Sequence, residues 1–294
     1  MNRKLYLLLA LLLVFTQLQP AQAGGPKDEN ALLWKISGKG LKKPSYIYGT
    51  IHAVCPDKMM ISEALQSTVT QTEQLSLELD MDDPNMMTQI MQSAMLPEGQ
   101  SLKAMLDEEE YSALATYFKA SYGIDLIQLD NMKPFMLYTM LLPMLTECKP
   151  ESYEQKLMEL AHAQQKEVLG IETVKEQMSA VDKLPNELYI DMLVRTVGDI
   201  TKSKADYREM VELYMDQDIK GLQELMKRDY TKDDYKKFND AFLVQRNKNW
   251  IPVMEQMAKT KSTLFAVGAA HLAGEHGVVA LLRKQGYKVT PVAK

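Results

Sequence analysis

Thr263-Leu-Phe-Ala-Val-Gly268-Ala-Ala-His271 is a short apolar run rich in β-forming residues, followed by small residues and then a histidine. Behind it, Leu272-Ala-Gly-Glu-His276-Gly277 brings glycines that open a helical pattern. Such a run predicts a buried strand that delivers His271 into a crevice at its end. The same arrangement stands early in the chain, where Tyr46-Ile-Tyr48 leads into Gly49-Thr-Ile-His52. Only four histidines are present, and two of them end strand-like runs in matching Gly-x-x-His units. That pairing is the strongest functional lead in the sequence.

Working outward, Leu32 to Ile36 alternates as a strand, Gly38 to Pro44 is turn chemistry, and Ser45 to Ile51 reads as a second strand, which predicts a hairpin. Ser62 is a helix N-cap candidate, with Ala64, Leu65, Thr68 and Val69 forming the apolar stripe behind it. Leu75 to Asp80 then alternates as a strand with Glu78 near its end. At the other end, Thr263 to Val267, His271, a helix from about Gly277 to Gln285 stopped by Gly286, and Tyr287 to Val292 repeat the layout. Both ends therefore read strand, Gly-x-x-His, helix, strand.

Between them the pattern is helical over about 82–165 and 174–261. Asp107 and Glu110 have capping-box spacing, Gly123 suits a helix stop, Pro134 a helix start, and Pro143 a kink. Val168 to Ile171 interrupts this as a buried strand followed directly by Glu172. The expected fold is α/β (α+β): a mixed sheet core built from two strand–GxxH–helix–strand units with a large helical insertion, forming one domain over 24–294. Twenty-one methionines, many of them in the helices, read as adaptable core filler rather than metal ligands. Strand–helix–strand crossovers give parallel strands, and α/β sheets bind ligands beyond the carboxyl ends of such strands. His52, Glu78, Glu172 and His271 are all expected at strand ends. If those ends share one edge, two imidazoles and at least one carboxylate converge.

The first residues read as a targeting segment. Arg3 and Lys4 precede the apolar run Leu5 to Phe15, and Ala21-Gln-Ala23 resembles a small-x-small cleavage site, so 1–23 is expected to be a signal peptide. An uncleaved anchor is the alternative. Pro134 and Pro143 break up the later apolar stretch Met132 to Leu145, so no stable membrane anchor is expected after cleavage. The chain is thus expected to be exported, periplasmic or secreted. Removing Arg3 and Lys4 and no acids takes the formal charge from -5 to -7. That balance argues against nucleic acid and anionic membrane surfaces as partners, leaving a peptide or small-molecule substrate. Cys55 and Cys148 are the two cysteines, and an oxidising compartment permits a bridge between them. Two buried thiols, or a metal-ligand role for Cys55, are the alternatives.

Two imidazoles and a carboxylate are good ligands for a divalent transition metal ion whose open position admits water. A bound ion acidifies that water and polarises a carbonyl, which suits amide or ester hydrolysis, and a second carboxylate can take the proton. Gly49 and Gly268 allow backbone to pack closely beside such a site. Singly, each histidine reads equally as a hydrogen-bonded structural residue; the repeated layout favours function for both. Arg246, on a helix among aromatic residues, reads either as the partner of a core acid or as a guanidinium aimed into the site. Asn247 lies about 100° further round that helix and so reads as structural support. His276 and His162 are left out of the site, the latter as an exposed helix residue.

Tyr48-Gly-Thr-Ile-His52, Leu77-Glu78-Leu79-Asp80, Gly170-Ile-Glu172-Thr173-x-x-Glu176-Gln177, Arg246-Asn247 and Val267-Gly-Ala-Ala-His271-Leu272 together resemble the motif set of the TraB/GumN family, which shares a superfamily with the Tiki metalloproteases. The resemblance runs in order from about Leu32 to Val292. It implies an α/β core with a helical insertion and a site made of His52, His271, Glu78 and Arg246, with Glu172 a further candidate. The function it implies is an exported, metal-dependent, peptidase-like hydrolase: His52, His271 and Glu78 as metal ligands, Glu172 as base or further ligand, and Arg246 on substrate or oxyanion. The alternative is a non-catalytic protein of the same fold that captures a peptide or signal in the crevice.

Overall fold

A computed structural model describes residues 30–292 of the chain; the expected leader at 1–23 lies outside them. Six strands form one sheet in the order β4-β3-β5-β2-β1-β6. They are β1 (Leu33–Ser37), β2 (Ser45–Thr50), β3 (Gln74–Leu77), β4 (Glu167–Gly170), β5 (Thr263–Gly268) and β6 (Lys288–Pro291). β1 and β2 form the expected antiparallel hairpin, while β2, β5, β3 and β4 are parallel to one another. β6 pairs antiparallel with β1 and therefore runs in the same direction as β2. One strand, β1, thus opposes five. The central strands β2 and β3 are buried along their whole length, and β5 in all but its last residue, as expected for parallel strands covered on both faces.

α1 (Glu63–Gln71) connects β2 to β3, with Ser62 accepting from the Leu65 N–H as its cap. The insertion between β3 and β4 comprises α2 (Met86–Ser93), α3 (Leu102–Met105), α4 (Glu108–Tyr122), α5 (Pro134–Leu141) and α6 (Tyr153–His162). The Asp107–Glu110 capping box and the left-handed Gly123 both form, because each satisfies helix-end groups from within a few residues. Pro143 does more than kink its helix: α5 stops at Leu141 and a 3₁₀ turn, Leu142–Leu145, takes over. The second helical stretch comprises α7 (Val174–Val181), α8 (Asn186–Gly198), α9 (Ile200–Met215), α10 (Ile219–Lys227), α11 (Lys232–Asn239) and α12 (Gln245–Thr260). A π-helical turn at Asp240–Val244 joins α11 to α12, where the sequence suggests one continuous helix. α13 (Val278–Lys284) then leads to β6.

Trp34, Ile36, Ile47, Leu65, Leu77, Trp250 and Phe265 lie in the main core against the sheet, and a second cluster around Val181, Tyr189 and Ala241 holds the helical part. The methionines divide. Met178, Met192 and Met254 fill cores as expected, whereas Met60, Met87 and Met91 are exposed.

Cys55 and Cys148 form a disulfide, which removes Cys55 from any ligand role. Beside it, Val54 and Glu151 exchange backbone hydrogen bonds of 3.0 and 2.8 Å. The loop after His52 is thereby stapled to the segment that enters α6. Because the bridge closes a loop of 93 residues, replacing both cysteines by serine should cost about 2–5 kcal/mol in urea unfolding. Neither cysteine should alkylate in the native, unreduced protein.

A Cβ on Gly49 would stand 2.6 Å from Leu272 Cδ1 and 3.1 Å from the Ala269 backbone. Gly49→Ala should therefore destabilise by about 1–3 kcal/mol, seen as a lower urea midpoint.

Candidate functional site

The parallel register sets Gly49 opposite Val267 and Thr50 opposite Gly268, so both Gly-x-x-His units leave the sheet side by side. His52 follows β2 directly, and His271 ends a short 3₁₀ turn, Ala269–His271, after β5. The neighbouring pair β3 and β4 continues its ladder beyond the strand ends. Ile171 N–H donates to Leu77 O at 2.8 Å and Glu172 N–H to Glu78 O at 3.0 Å. A Cβ on Gly170 would stand 2.6 Å from the Asp80 nitrogen, so glycine is what lets these two segments lie this close. Glu78 and Glu172 are in this way held next to each other. All four residues expected at strand ends share one edge of the sheet.

Arg246 sits among them from the first turn of α12, just after the π turn. Its Nη2 donates to Glu78 Oε2 at 2.6 Å and also to Glu172 Oε1; its Nε donates to the Glu172 oxygens at 3.0 and 3.2 Å. The arginine and both carboxylates are buried, with side-chain exposures of 9, 13 and 5%. Its other end nitrogen, Nη1, donates to Phe242 O at 3.2 Å and lies 3.3 Å from His271 Nε2. Gln177 Nε2 adds donors to Glu172 Oε1 at 3.1 Å and Glu78 Oε2 at 3.4 Å, and Trp250 Nε1 donates to Glu172 Oε2 at 2.8 Å. The Gly268 N–H donates to Glu78 Oε1 at 2.8 Å. The two alternatives for Arg246 coincide: the core acids it pairs with are the acids of the site.

Asn247 has a larger part than its helical position suggests. Its Oδ1 lies 2.6 Å from His271 Nδ1, and its Nδ2 donates to His271 O and His276 O at 3.3 and 2.9 Å. Arg246 and Asn247 need not face one point, because they grip opposite nitrogens of one ring. The Trp250 ring packs on that imidazole at 4.4 Å between centroids. An amide oxygen at Nδ1 and a guanidinium donor at Nε2 assign the same tautomer: the proton on Nδ1, the lone pair on Nε2. Burial of His271 pulls its pKa down to about 3, against the attraction of Glu78, so the ring is neutral. Burial works against the Glu78 charge, but the Arg246 guanidinium, with the Gly268 N–H, holds its carboxyl below the usual carboxylate range. Glu172 is raised, since burial outweighs its bonds to Arg246 and Trp250.

His52 is different. Its side chain is 66% exposed, and its Nδ1 lies 2.9 Å from Glu154 Oε1. Desolvation opposes its charge, yet Glu154 raises its pKa; solvent around the ring screens that pull, so the upward direction is what the geometry supports. Sequence patterning alone does not single out Glu154, nor Gln177 and Trp250 as partners of Glu172. A signal for Glu154 existed: it lies three and seven residues before Leu157 and Ala161, on the buried stripe of α6. His162 is half exposed and pairs with Asp82, and the His276 ring faces outward beside Glu275, so neither joins the site.

A Cβ built on Gly268 would lie 3.4 Å from Glu78 Oε1, 3.7 Å from His271 Cδ2 and 3.9 Å from His52 Nε2. The glycine therefore leaves a cradle edged by one carboxylate and two imidazoles. Among the described residues, no three His, Cys, Asp or Glu side chains stand as a ready group around one ion. Arg246 instead holds the Glu78 carboxylate and lies against His271 Nε2. The donor chemistry nevertheless fits a divalent transition metal, with a neutral imidazole whose Nε2 is the unprotonated nitrogen, a second imidazole, and an ionised carboxylate at one cradle. On the outer side of Glu172 and Arg246, a cavity of about 150 Å³ opens between α7 and α12, lined also by Glu176, Lys183, Asn249 and Trp250. A larger one of about 330 Å³, beside Leu96, Lys133 and Asp182, shares no residue with the site.

The profile of the TraB/PrgY/gumN family matches residues 32–291. Among curated proteins, the chain is similar to the metalloprotease TIKI2 of Danio rerio, 23% identical over 318 residues, covering 90% of this chain and 61% of that protein. It is similar also to the metalloprotease TIKI1 of Danio rerio (23% over 316 residues; 89% and 63%) and a metalloprotease TIKI homologue of Amphimedon queenslandica (23% over 347 residues; 96% and 66%). The chain thus spans somewhat less than two thirds of the length of these relatives. No solved structure matches it.

Removing the one guanidinium between two buried carboxylates leaves both uncompensated. Arg246→Ala should cost about 3–5 kcal/mol in urea unfolding. Adding Glu172→Gln to that variant should restore part of the loss, a non-additivity that a double-mutant cycle measures.

Proposed function

This chain belongs to the TraB/PrgY/gumN family, and from that premise and the edge geometry we propose that it is an exported, metal-dependent hydrolase of the peptidase kind. The observation that carries the proposal is the cradle at Gly268, where Glu78 and both Gly-x-x-His imidazoles meet around a missing side chain. The names of the TIKI relatives, metalloproteases, agree with it. His52 Nε2, His271 Nε2 and Glu78 would hold a divalent transition ion. When bound, such an ion supplies Lewis acidity toward a carbonyl and an acidified water.

The chain's own groups divide the remaining work. Asn247 fixes His271 so that Nε2 is the nitrogen that carries the lone pair. Glu172, kept high in pKa by burial, is suited to take up and hold a proton at a carboxylate oxygen, oriented by Trp250 and Gln177. Arg246 presents a fixed cation beside the cradle, placed to meet a substrate carboxylate or developing oxyanion. The cavity between α7 and α12 reaches the same Glu172–Arg246 pair and offers a route for substrate. Export is supported by the disulfide; among the described residues, no helix is long and apolar enough to cross a membrane.

One feature favours a second reading, capture of a peptide without turnover: Arg246 already satisfies both acids and donates toward His271. Metal analysis separates the two. The purified chain should bind about one divalent ion, and His52→Ala and His271→Ala should each abolish uptake and peptide hydrolysis with folding intact. A wild-type chain that binds no divalent ion would refute the hydrolase. Gly268→Ala is the sharper variant. Its backbone (φ -51°, ψ 135°) accepts alanine and the new methyl meets neighbours at ordinary contact distances, so the fold should persist. The methyl fills the cradle, so metal uptake should fall to background.

A further inference from the structure

Glu154 is a buried carboxylate, 8% exposed, on a helix face whose other members are Leu157 and Ala161. An ionised group taken out of water costs several kcal/mol unless its contacts compensate, so an acid on that stripe calls for a physical reason. Its contacts supply one. Thr50 Oγ1 donates to Oε1 at 2.6 Å, Ser152 Oγ donates to Oε2 at 2.8 Å, and His52 Nδ1 lies 2.9 Å from Oε1. Thr50 and His52 are two residues apart on the same strand end, so a single carboxylate oxygen ties the strand to the imidazole that follows it.

The backbones on both sides are fixed as well. Immediately after His52, Ala53 O accepts from the Tyr207 hydroxyl at 2.6 Å, Val54 pairs with Glu151, and Cys55 is bonded to Cys148. Immediately before Glu154, Cys148, Glu151 and Ser152 are the other halves of these contacts or the helix cap. Two segments about a hundred positions apart are thus clamped around the His52–Glu154 contact.

The need for such a clamp follows from the contrast with His271. That ring is buried and gripped on both nitrogens and one face, whereas the His52 ring is two-thirds exposed. An exposed imidazole on a loop rotates freely unless a directional contact stops it. A partner at Nδ1 selects which nitrogen faces the cradle, and a charged partner also makes that nitrogen a stronger donor.

We infer that Glu154 is the positioning residue of His52, turning Nδ1 away and presenting Nε2 to the Gly268 cradle, with the Val54–Glu151 bridge and the Cys55–Cys148 disulfide as its frame. The inference rests on the ligand set proposed above and adds to it the residue through which one ligand acts.

The test is calorimetric titration of the metal-free full chain with Mn²⁺ and with Zn²⁺, alongside its urea midpoint. Glu154→Gln keeps the shape and an acceptor oxygen but removes the charge. It should weaken binding of whichever ion the wild type takes by about 10–100-fold while the chain stays folded. Unchanged affinity in folded Glu154→Gln, whatever its midpoint, overturns the inference and leaves Glu154 a structural residue. Should Glu154→Gln not fold, Thr50→Val serves instead, since it removes the anchor and leaves the charge. A several-fold loss of affinity then supports the inference, and wild-type affinity overturns it. A wild-type chain that takes up neither ion fails at the ligand set itself, a result distinct from failure of the variants, and it removes this inference too.

Discussion

Two carboxylates buried next to each other at the end of a sheet repel unless a cation stands between them, and Arg246 is that cation. Glu78 and Glu172 are adjacent because the β3–β4 ladder continues past both strands, a covalent and hydrogen-bonded constraint that neither side chain can relax. The guanidinium, with a fork of rigid donors, meets both acids at once and still reaches His271. Lysine offers one point charge and could not do all three. α12 is thus tied to the sheet both by the Arg246 pairs and by Trp250 and Met254 in the core beneath it.

The two glycines of the matching motifs have separate reasons to be glycine. Gly49 faces the other motif, with Leu272 and Ala269 pressed against its α-carbon, so it allows the two strand-end turns to nest. Gly268 faces Glu78 and both imidazoles, which an added methyl would meet at ordinary contact distances. One glycine permits contact between protein segments; the other leaves a methyl-sized place among the site's side chains. The repeated layout is therefore not a symmetric pair of half-sites. His271 is buried and neutral, while His52 is exposed and held by Glu154 at Nδ1 alone.

Much of this is legible in the sequence, for local reasons. The apolar runs Tyr46–Tyr48 and Thr263–Val267 announce strands, and Ser62, Asp107–Glu110 and Gly123 announce helix ends by chemistry confined to a few residues. Parallel strands then bring His52, Glu78, Glu172 and His271 to one edge by topology alone. Glu154 escaped because an acid in the first turn of a helix is ordinary there, favoured by the helix dipole, and its burial depends on a strand a hundred positions away. The π turn at Asp240–Val244 leaves no periodicity mark strong enough to separate α11 from α12. The exposed methionines of α2 share their residue type with core fillers, and only the packing of neighbouring helices decides which ones face outward.

The disulfide has a topological consequence beyond its contribution to stability. Residues 55 and 148 are joined, so α1, β3 and the helices from α2 to α5 form a closed covalent ring threaded into the sheet by β3. A backbone cut anywhere within that ring leaves a single molecule, with β3 still hydrogen-bonded between β4 and β5 and both ends of the break tethered nearby. The loops most open to proteolytic nicking in the insertion can therefore be severed without releasing a fragment. Wherever the bridge is kept oxidised, the insertion as far as Cys148 is in this sense nick-tolerant.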